Sequence, residues 1–354
     1  MQIISDYAKD TRTEKPIPGS YEWWYFDAVD ENGYSIVVIF YEGNPFSKRY
    51  IQALSEKSNH LANNYPAISI SVYKDGKPLF YSFEETDAAF AEFGSEKISG
   101  RVGGNNFTGS REGDSVSYLL ELNQSLPNGE SISGELLYLS DSASRITGSD
   151  FNQQSSNTHV WNLILPKCKV SGNLKIDSPK SEAISFNGKG YHDHNFGSEP
   201  MKDTFDEWYW GRYHFEDSTL IYYVMNVKGE WDRKGWLIGD DGNVAIVDSI
   251  ELQDESWTFF GLNSARKIEF SGNGFKAVLQ KDQMVDSGPF YQRFEGVVLA
   301  EVDGNIMKAE GISEYIKPDR IYSKMFWPLV DMRIKYPGKA HWVQMSSKLY
   351  RWTW

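Results

Sequence analysis

The chain has 354 residues, a formal net charge of −13, 40% hydrophobic residues and 24% charged residues. This length and hydrophobic content predict two packed domains rather than a disordered chain. The acidic surface argues against nucleic acid and anionic membranes as partners. No apolar run approaches the ~20 residues of a spanning helix, and the N-terminus lacks the basic and apolar regions of a signal peptide. We therefore expect a cytoplasmic protein with no transmembrane segment.

The composition is poor in cysteine and rich in aromatic residues. Cys168 is the single cysteine, which excludes an intramolecular disulfide and a thiolate metal cluster. Aromatic residues make up 15% of the chain, with 12 Trp, 21 Tyr and 20 Phe. Aromatic side chains favour strands and also line apolar ligand sites. The composition therefore favours a β-rich protein with an aromatic pocket.

Strand signals run along the whole chain, whereas helix signals are confined to the short stretches His60–Asn64 and Glu85–Phe93. Asp75-Gly76 separates the runs Ala67–Tyr73 and Pro78–Phe83, which is typical of a β-hairpin because glycine accepts a positive φ. Further strands are predicted at Tyr34–Tyr41, Val116–Leu122, Glu135–Leu139, Val244–Ile250, Ala277–Gln280 and Gly296–Val302, with another turn at Asp303-Gly304 before Asn305–Ala309. Many short strands joined by turns predict an all-β fold of antiparallel barrels or sandwiches with few short helices.

One aromatic hairpin occurs twice. Glu22-Trp23-Trp24-Tyr25 matches Glu207-Trp208-Tyr209-Trp210 without a gap, and each is followed by a polar turn and a hydrophobic strand. Since Trp is rare, we interpret the match as a duplication. The predicted domains are residues 1–184 and 185–354. The polar segment Ile176–Glu182, which contains a proline, is the predicted linker.

The run YHDHN, which starts at Tyr191, concentrates titratable side chains near the predicted start of the second domain. In a strand, alternate side chains face opposite sides, so His192 and His194 are expected on one face. Tyr191, Asp193 and Asn195 are expected on the other, with Asp193 beside tryptophans of the aromatic hairpins. A carboxyl in such an apolar pocket has a raised pKa and acts as a general acid. Aromatic faces would then shelter the resulting carbocation.

Each of these features also has a structural interpretation. The two histidines could bind a metal, or the run could form a polar network that locks the domain junction. Glu22 and Glu207 could be buried partners of Arg212. The tryptophans of the two hairpins could fill cores, and His159 could be a hydrogen-bonded strand histidine or face the junction.

These residues resemble a known family. The start Glu22–Phe26, the strand with His159 and Trp161, and the motif Gly190–Gly197 resemble carotenoid 1,2-hydratases (hydroxyneurosporene synthases). They are also similar to the wider lipocalin-like tandem-domain proteins, which include fungal Diels–Alderases, and more distantly to tocopherol cyclase. The resemblance runs from about Ser20 to about Met225.

The resemblance implies two lipocalin-like β domains with a ligand site at their junction. It also implies addition of water to a terminal isoprenoid double bond without a redox cofactor. Asp193 then resembles the proton donor, with His192 and His194 as its polar partners. Two departures from the hydratase pattern stand out: Phe196 replaces a Trp, and Leu220–Asn226 lacks an aspartate.

We therefore expect a cofactor-free enzyme of secondary metabolism that protonates an alkene of a polyene, terpenoid or polyketide, giving hydration or cyclisation. A pericyclase that folds its substrate, or a lipocalin that binds lipid or pigment without turnover, is the alternative. No metal is expected, the hydrophobic substrate is the expected partner, and weak membrane association would collect it. The catalytic candidates are Glu22, Tyr191, His192, Asp193, His194 and Asn195. The substrate-binding candidates are Trp23, Tyr25, His159, Trp161, Phe196, Trp208, Trp210 and Tyr222.

Overall fold

The computed structural model describes residues 1–141, 159–178, 181–302 and 304–354. These residues form two compact units, of which the first combines Met1–Met201 with Trp327–Trp354 and the second is Lys202–Phe326. Each unit is built on one curled sheet of mostly antiparallel strands, which confirms the predicted all-β, lipocalin-like architecture of two tandem domains. None of the helices in these described ranges has the length and apolar character needed to cross a membrane.

Among the described residues, the sheet of the first unit has twelve strands. They are β1 (Gln2–Ile4), β2 (Tyr21–Asp30), β3 (Tyr34–Glu42), β4 (Ala67–Lys74), β5 (Lys77–Glu85), β6 (Ala91–Phe93), β7 (Ser99–Val102), β8 (Asn105–Glu112), β9 (Ser115–Ser125), β10 (Ser131–Ser140), β11 (His159–Asp177) and β12 (Glu182–Gly197). Their order in the sheet is β5-β4-β3-β2-β12-β11-β10-β9-β8-β7-β6, and β1 adds to β11 in parallel. Strands β2 and β11 therefore flank β12 at the centre of the sheet.

The sheet of the second unit has nine strands. They are β13 (Glu207–His214), β14 (Ser218–Val227), β15 (Glu230–Gly239), β16 (Val244–Ile246), β17 (Ser249–Trp257), β18 (Asn263–Gly272), β19 (Phe275–Ser287), β20 (Tyr291–Val302) and β21 (Asn305–Ile316). Their order is β16-β15-β14-β13-β21-β20-β19-β18-β17. Alternating side chains of these strands, including Tyr222, Ile268, Leu279 and Phe294, form the core of the unit.

The two sheets share one topology. In each, the first strand of the aromatic hairpin pairs with the second strand of that hairpin on one side and with the last strand of its sheet on the other. Strand β2 thus corresponds to β13, and β12 corresponds to β21. This correspondence supports the duplication inferred from the repeated Glu-Trp motif.

The unit boundary differs from the predicted one. Strand β12 begins at Glu182 and pairs with β2 over ten residues, from Gly188 opposite Asp30 to Gly197 opposite Tyr21. These ladder hydrogen bonds place β12 in the first unit, so the YHDHN run closes the first sheet instead of opening the second. The predicted linker Ile176–Glu182 joins β11 to β12, and its residues 179 and 180, like Asp303 of another predicted turn, lie outside the described residues.

Helices occupy a small part of the described chain. The α-helices are α1 (Lys48–Ser55), α2 (Met201–Thr204), α3 (Trp327–Arg333) and α4 (Ser347–Arg351), and 3₁₀ turns lie at Tyr7–Lys9, Ala62–Asn64, Ala88–Phe90, Pro318–Tyr322, Lys324–Phe326 and Trp342–Met345. The two predicted helical stretches contain short 3₁₀ turns. The C-terminal segment belongs to the first unit, where Lys335 pairs with Glu84 and Arg351 with Glu130 at 3.0 Å.

The role of β12 predicts how fragments behave. A fragment of residues 202–326 should unfold cooperatively with a β-sheet circular dichroism spectrum, because it contains every strand of its sheet. A fragment of residues 1–184 should show no cooperative transition, because loss of β12 leaves β2 and β11 without their shared neighbour. Thermal unfolding followed by circular dichroism measures both. A cooperative transition in the 1–184 fragment would contradict the observed boundary.

Candidate functional site

The central strand β12 carries the candidate site. Residues 191–195 are all buried, so neither face of this stretch is open to solvent. A buried polar group is costly unless it has a hydrogen-bond partner. Successive side chains of a strand point to opposite faces. The polar side chains on the two faces of β12 therefore find their hydrogen-bond partners in two separate sets of residues.

Asp193 is held on one face by three neutral donors. Its Oδ2 accepts hydrogen bonds from Trp161 Nε1 at 2.7 Å and from the Tyr191 hydroxyl at 2.6 Å. Its Oδ1 accepts one from Asn195 Nδ2 at 2.8 Å. The side chains of these residues form what we call the aspartate cluster, and Asp193 itself is 4% exposed.

The aspartate cluster is more polar than the sequence predicted. Hydrogen bonds to a carboxylate stabilise its charged form, whereas burial among apolar groups destabilises it. The sequence analysis placed Tyr191 and Asn195 on the face of Asp193, but it considered only the effect of burial among aromatic rings on the carboxyl group. The structure adds three hydrogen-bond donors, which fix the carboxyl group in position and partly compensate its charge.

The rest of this face is aromatic. Tyr25 meets the ring of Tyr191 edge to face at 6.1 Å. Tyr21 stacks on Trp23 at 5.4 Å and its hydroxyl lies 2.9 Å from His159 Nδ1. Burial lowers the pKa of His159 to about 3, which keeps its imidazole neutral. The predicted pocket residues Trp23, Tyr25, His159 and Trp161 thus lie on β2 and β11, the two strands that pair with the strand of Asp193.

The opposite face of β12 carries a network of charges, the histidine cluster. His192 approaches Asp10 Oδ2 at 3.1 Å, and its other ring nitrogen donates to the Tyr25 carbonyl at 2.9 Å. His194 lies between Asp10 at 3.2 Å and Glu22 at 2.8 Å. The two histidines are therefore not partners of Asp193, contrary to what the family resemblance implied, because alternation turns them away from it.

Opposite charges in contact set the charge states of Asp10, Glu22 and His194. Burial disfavours the charged form of each group, but attraction to the neighbouring opposite charges is the stronger effect on its pKa. The two imidazoles lower the pKa of Asp10 to about 2, and His194 and Lys15 likewise lower the pKa of Glu22. Asp10 and Glu22 raise the pKa of His194 to about 9. At neutral pH His194 is thus an imidazolium ion.

Aromatic rings enclose the imidazoles of the histidine cluster. Trp24 stacks on His194 at 4.5 Å, which favours the cationic form of that imidazole. Phe26 stacks on His192 at 4.0 Å. Phe196, predicted to bind substrate, lies on this face at 5.2 Å from His194.

Several partners in the histidine cluster escaped the sequence analysis. Lys15 bridges Glu22 and Glu42, and the Tyr118 hydroxyl donates to Asp10. Asp10 and Lys15 lie in an N-terminal segment without a recognisable motif. The sequence indicated these partners only indirectly. Two buried histidines on one face of a strand need hydrogen-bond acceptors, but the pattern does not say which residues supply them. Among the residues that the structure describes, no group of three or more His, Cys, Asp or Glu side chains is arranged to hold a metal ion.

The remaining predicted residues lie in the second unit. Trp208 packs on Phe205 at 4.3 Å, and Tyr222 is a core residue whose hydroxyl lies 2.9 Å from Ser313 Oγ. Trp210 is buried. Glu207 accepts a hydrogen bond from Tyr315, just as Glu22 of the first unit bonds His194. The side-chain partners of the two glutamates are thus Lys15 and His194 for Glu22 and Tyr315 for Glu207, instead of the arginine that the structural interpretation suggested.

Comparison with known proteins identifies relatives along almost the whole chain. Hydroxyneurosporene dehydrogenase of Chlorobaculum tepidum is 29% identical over 364 residues, covering 96% of this chain and 93% of that protein. Acyclic carotenoid 1,2-hydratase of Rubrivivax gelatinosus is 26% identical, covering 80% of this chain and 66% of that protein. The crystal structure of an AttH protein from Nitrosomonas europaea matches with a TM-score of 0.62 at 15% identity, covering 88% of this chain and 96% of that one, and supports the fold.

The raised pKa of His194 makes stability depend on pH. A cation favoured in the folded state contributes fully below its unfolded pKa of about 6.5, and the contribution is lost as pH rises through about 9. The free energy of unfolding should therefore fall on the order of 2–3 kcal/mol between pH 6.5 and pH 9.5. Urea unfolding should show this fall in the native chain and in the exposed-site control His60→Gln, but not in His194→Gln. Equal falls in all three proteins would contradict the assignment.

The model of the carotenoid hydratase CrtC family matches residues 38–345. This match begins within β3, at Val38, and includes the whole of β12 and the second unit. The chain belongs to the CrtC carotenoid hydratase family and is an enzyme of the hydro-lyase type.

Proposed function

We propose that this enzyme adds water to a terminal isoprenoid double bond of an acyclic, carotenoid-like polyene, and that Asp193 exchanges protons with the substrate. The observation that carries the proposal is the placement of Asp193, a buried carboxyl group held by Trp161, Tyr191 and Asn195. The names of the carotenoid hydratase relatives supply the substrate class.

The reaction balances with one carboxyl group and no cofactor. The protonated form of Asp193 transfers its proton to the terminal alkene, whose π electrons form the new C–H bond and leave a tertiary carbocation. Water then adds its oxygen to the cationic carbon. The Asp193 carboxylate accepts the surplus proton from the bound water, which yields a tertiary alcohol and restores the starting acid.

The hydrogen bonds around Asp193 suit a group that carries both protonation states in turn. Its ionised form, present while the carbocation exists, keeps the three donors of the aspartate cluster. The rings of Tyr25, Tyr191 and Trp161 supply electron-rich faces on the same side of β12, and such faces stabilise cations by about 0.5–2 kcal/mol each. Contact with the apolar substrate would favour the protonated form of the carboxyl group.

The histidine cluster has a positioning role in this proposal. His192 and His194 bind Asp10 and Glu22 on the far face of β12. They therefore fix the strand that presents Asp193 without touching the substrate. This assignment replaces the direct catalytic role expected for Glu22, His192 and His194.

Replacing the carboxyl group separates chemistry from binding. Asp193→Asn should lower turnover by 10²-fold or more, the usual range for loss of a general acid, because the N–H groups of an amide are too weakly acidic to protonate an alkene. Affinity for an acyclic carotenoid should change less than about tenfold, since asparagine keeps the size of the side chain. Product formation by chromatography and ligand binding by tryptophan quenching measure the two effects.

The exposed Asp87→Asn is the matched control for Asp193→Asn and should retain full turnover. If Asp193→Asn turns over normally, the proton-transfer role is excluded. A pericyclase that acts through substrate shape, or a carrier, would then explain the aromatic face better.

Removing one donor should shift the pH profile. Tyr191→Phe deletes a hydrogen bond that stabilises ionised Asp193, so the pKa of the catalytic acid should rise. The loss of activity at high pH should then move upward by about one pH unit, since a hydrogen bond to a charged group contributes about 1.5–3 kcal/mol. Turnover measured from pH 5 to pH 10 tests this, with Tyr65→Phe in the same unit as control. A downward shift or an unchanged limb in Tyr191→Phe contradicts the proton-donor assignment.

A further inference from the structure

Strand β19 of the second unit places a lysine where its pattern calls for an apolar residue. Phe275, Ala277 and Leu279 are buried at alternate positions and belong to the core cluster. Lys281 follows at the next position of the same face and is only 2% exposed. A lysine is rarely buried to this extent without a partner, so its surroundings are informative.

The Lys281 ammonium group has aromatic neighbours but no acceptor. Its Nζ has no hydrogen-bond partner among the described residues, and no carboxylate there lies within ion-pair distance. It lies 4.9 Å from the ring centre of Tyr209 and 4.5 Å from that of Phe294. Burial and the charge of Arg266 lower the pKa of Lys281 well below its usual range.

Arg266 makes Lys281 one member of a pair. Lys267 of β18 is opposite Gln280 of β19, so Arg266 and Lys281 occupy the next position on the two strands. The Arg266 guanidinium lies 4.6 Å from the centre of the same Phe294 ring. In the part of the chain that the structure describes, Arg266 also lacks a carboxylate partner. Two cations side by side without a counter-charge repel each other.

Two strongly exposed aromatic residues precede this cation pair in the chain. Trp257, the last residue of β17, is 72% exposed, and Phe259, in the connection to β18, is 95% exposed. Arg320 donates to the carbonyls of Phe260 at 2.7 Å and Gly261 at 2.6 Å, which fixes the connection. Phe259 meets Phe260 edge to face at 5.4 Å, and exposed aromatic residues in contact with one another are typical of surfaces that bind apolar ligands.

We propose that the second unit has a separate ligand site for a long-chain carboxylate, whose head pairs with Lys281 and Arg266 and whose apolar chain extends toward Trp257 and Phe259. A carboxylate offers two oxygens, one for each cation, and thereby provides the missing counter-charge. The residues of this site are distinct from Asp193 and its donors, so the inference stands independently of the proposed hydration.

The test compares two ligands of equal chain length on the intact chain. Dodecanoate, at concentrations where it is monomeric, should bind at least about tenfold more tightly than dodecanol by isothermal titration calorimetry, because only the carboxylate engages the cations. In Lys281→Met this preference should disappear, while affinity for dodecanol should stay the same. Lys276→Met, which removes an exposed lysine of the same strand, is the matched control and should keep the preference.

Stability measurements keep the test conclusive. Lys281→Met replaces an unpartnered buried amine by an apolar side chain of similar length, so its melting temperature without ligand should be equal to or above that of the native chain. If that variant is instead too unstable to titrate, the half-buried Arg266→Gln should lose the preference for dodecanoate. Equal affinities for the two ligands in the native chain, or a preference that survives in both variants, would overturn the proposal.

Discussion

Burial of residues 191–195 of strand β12 on both faces is the constraint from which the rest of the site follows. This stretch exposes none of its polar side chains to water, so each needs a partner inside the protein. Period-two geometry divides these partners into two sets. Carboxylates bind His192 and His194 on one face, whereas neutral hydrogen-bond donors hold Asp193 on the other. The strand thus carries a network of charges on one side and, on the other, a carboxylate that accepts hydrogen bonds from three neutral donors.

The second unit carries a carboxylate at the position that corresponds to Asp193, which allows the two sites to be compared. Tyr25 is opposite Asp193, and Trp210, the equivalent residue of the second hairpin, is opposite Glu314. A carboxylate therefore occupies corresponding positions in both sheets. Glu314 is bound by the Arg293 guanidinium at 3.0 Å, an ion pair typical of a structural role. Asp193 accepts hydrogen bonds from three neutral donors, whereas Glu314 is held by a guanidinium, and this difference suits Asp193 to the proposed proton exchange.

The sequence predicted what depends on local geometry. Alternation along Tyr191–Asn195 follows from the backbone alone, and the repeated Glu-Trp hairpin indicated two related sheets. The sequence could not predict that Asp10 is the partner of His192, because the two residues are 182 positions apart in the chain. The boundary at residue 184 was wrong for a similar reason. The YHDHN run precedes the second hairpin in sequence, but its ladder partner β2 lies near the start of the chain. Long-range pairing also returns Trp327–Trp354 to the first unit.

The central claim is that the Asp193 face of β12, and not the histidine face, meets the reacting carbon. A crystal structure with the tertiary alcohol product of an acyclic carotenoid bound tests this most directly. We expect the product hydroxyl oxygen within about 3.2 Å of an Asp193 carboxyl oxygen, the reach required for proton exchange. A hydroxyl group bound instead by His192 or His194, or a terminal carbon remote from Asp193, would contradict the account.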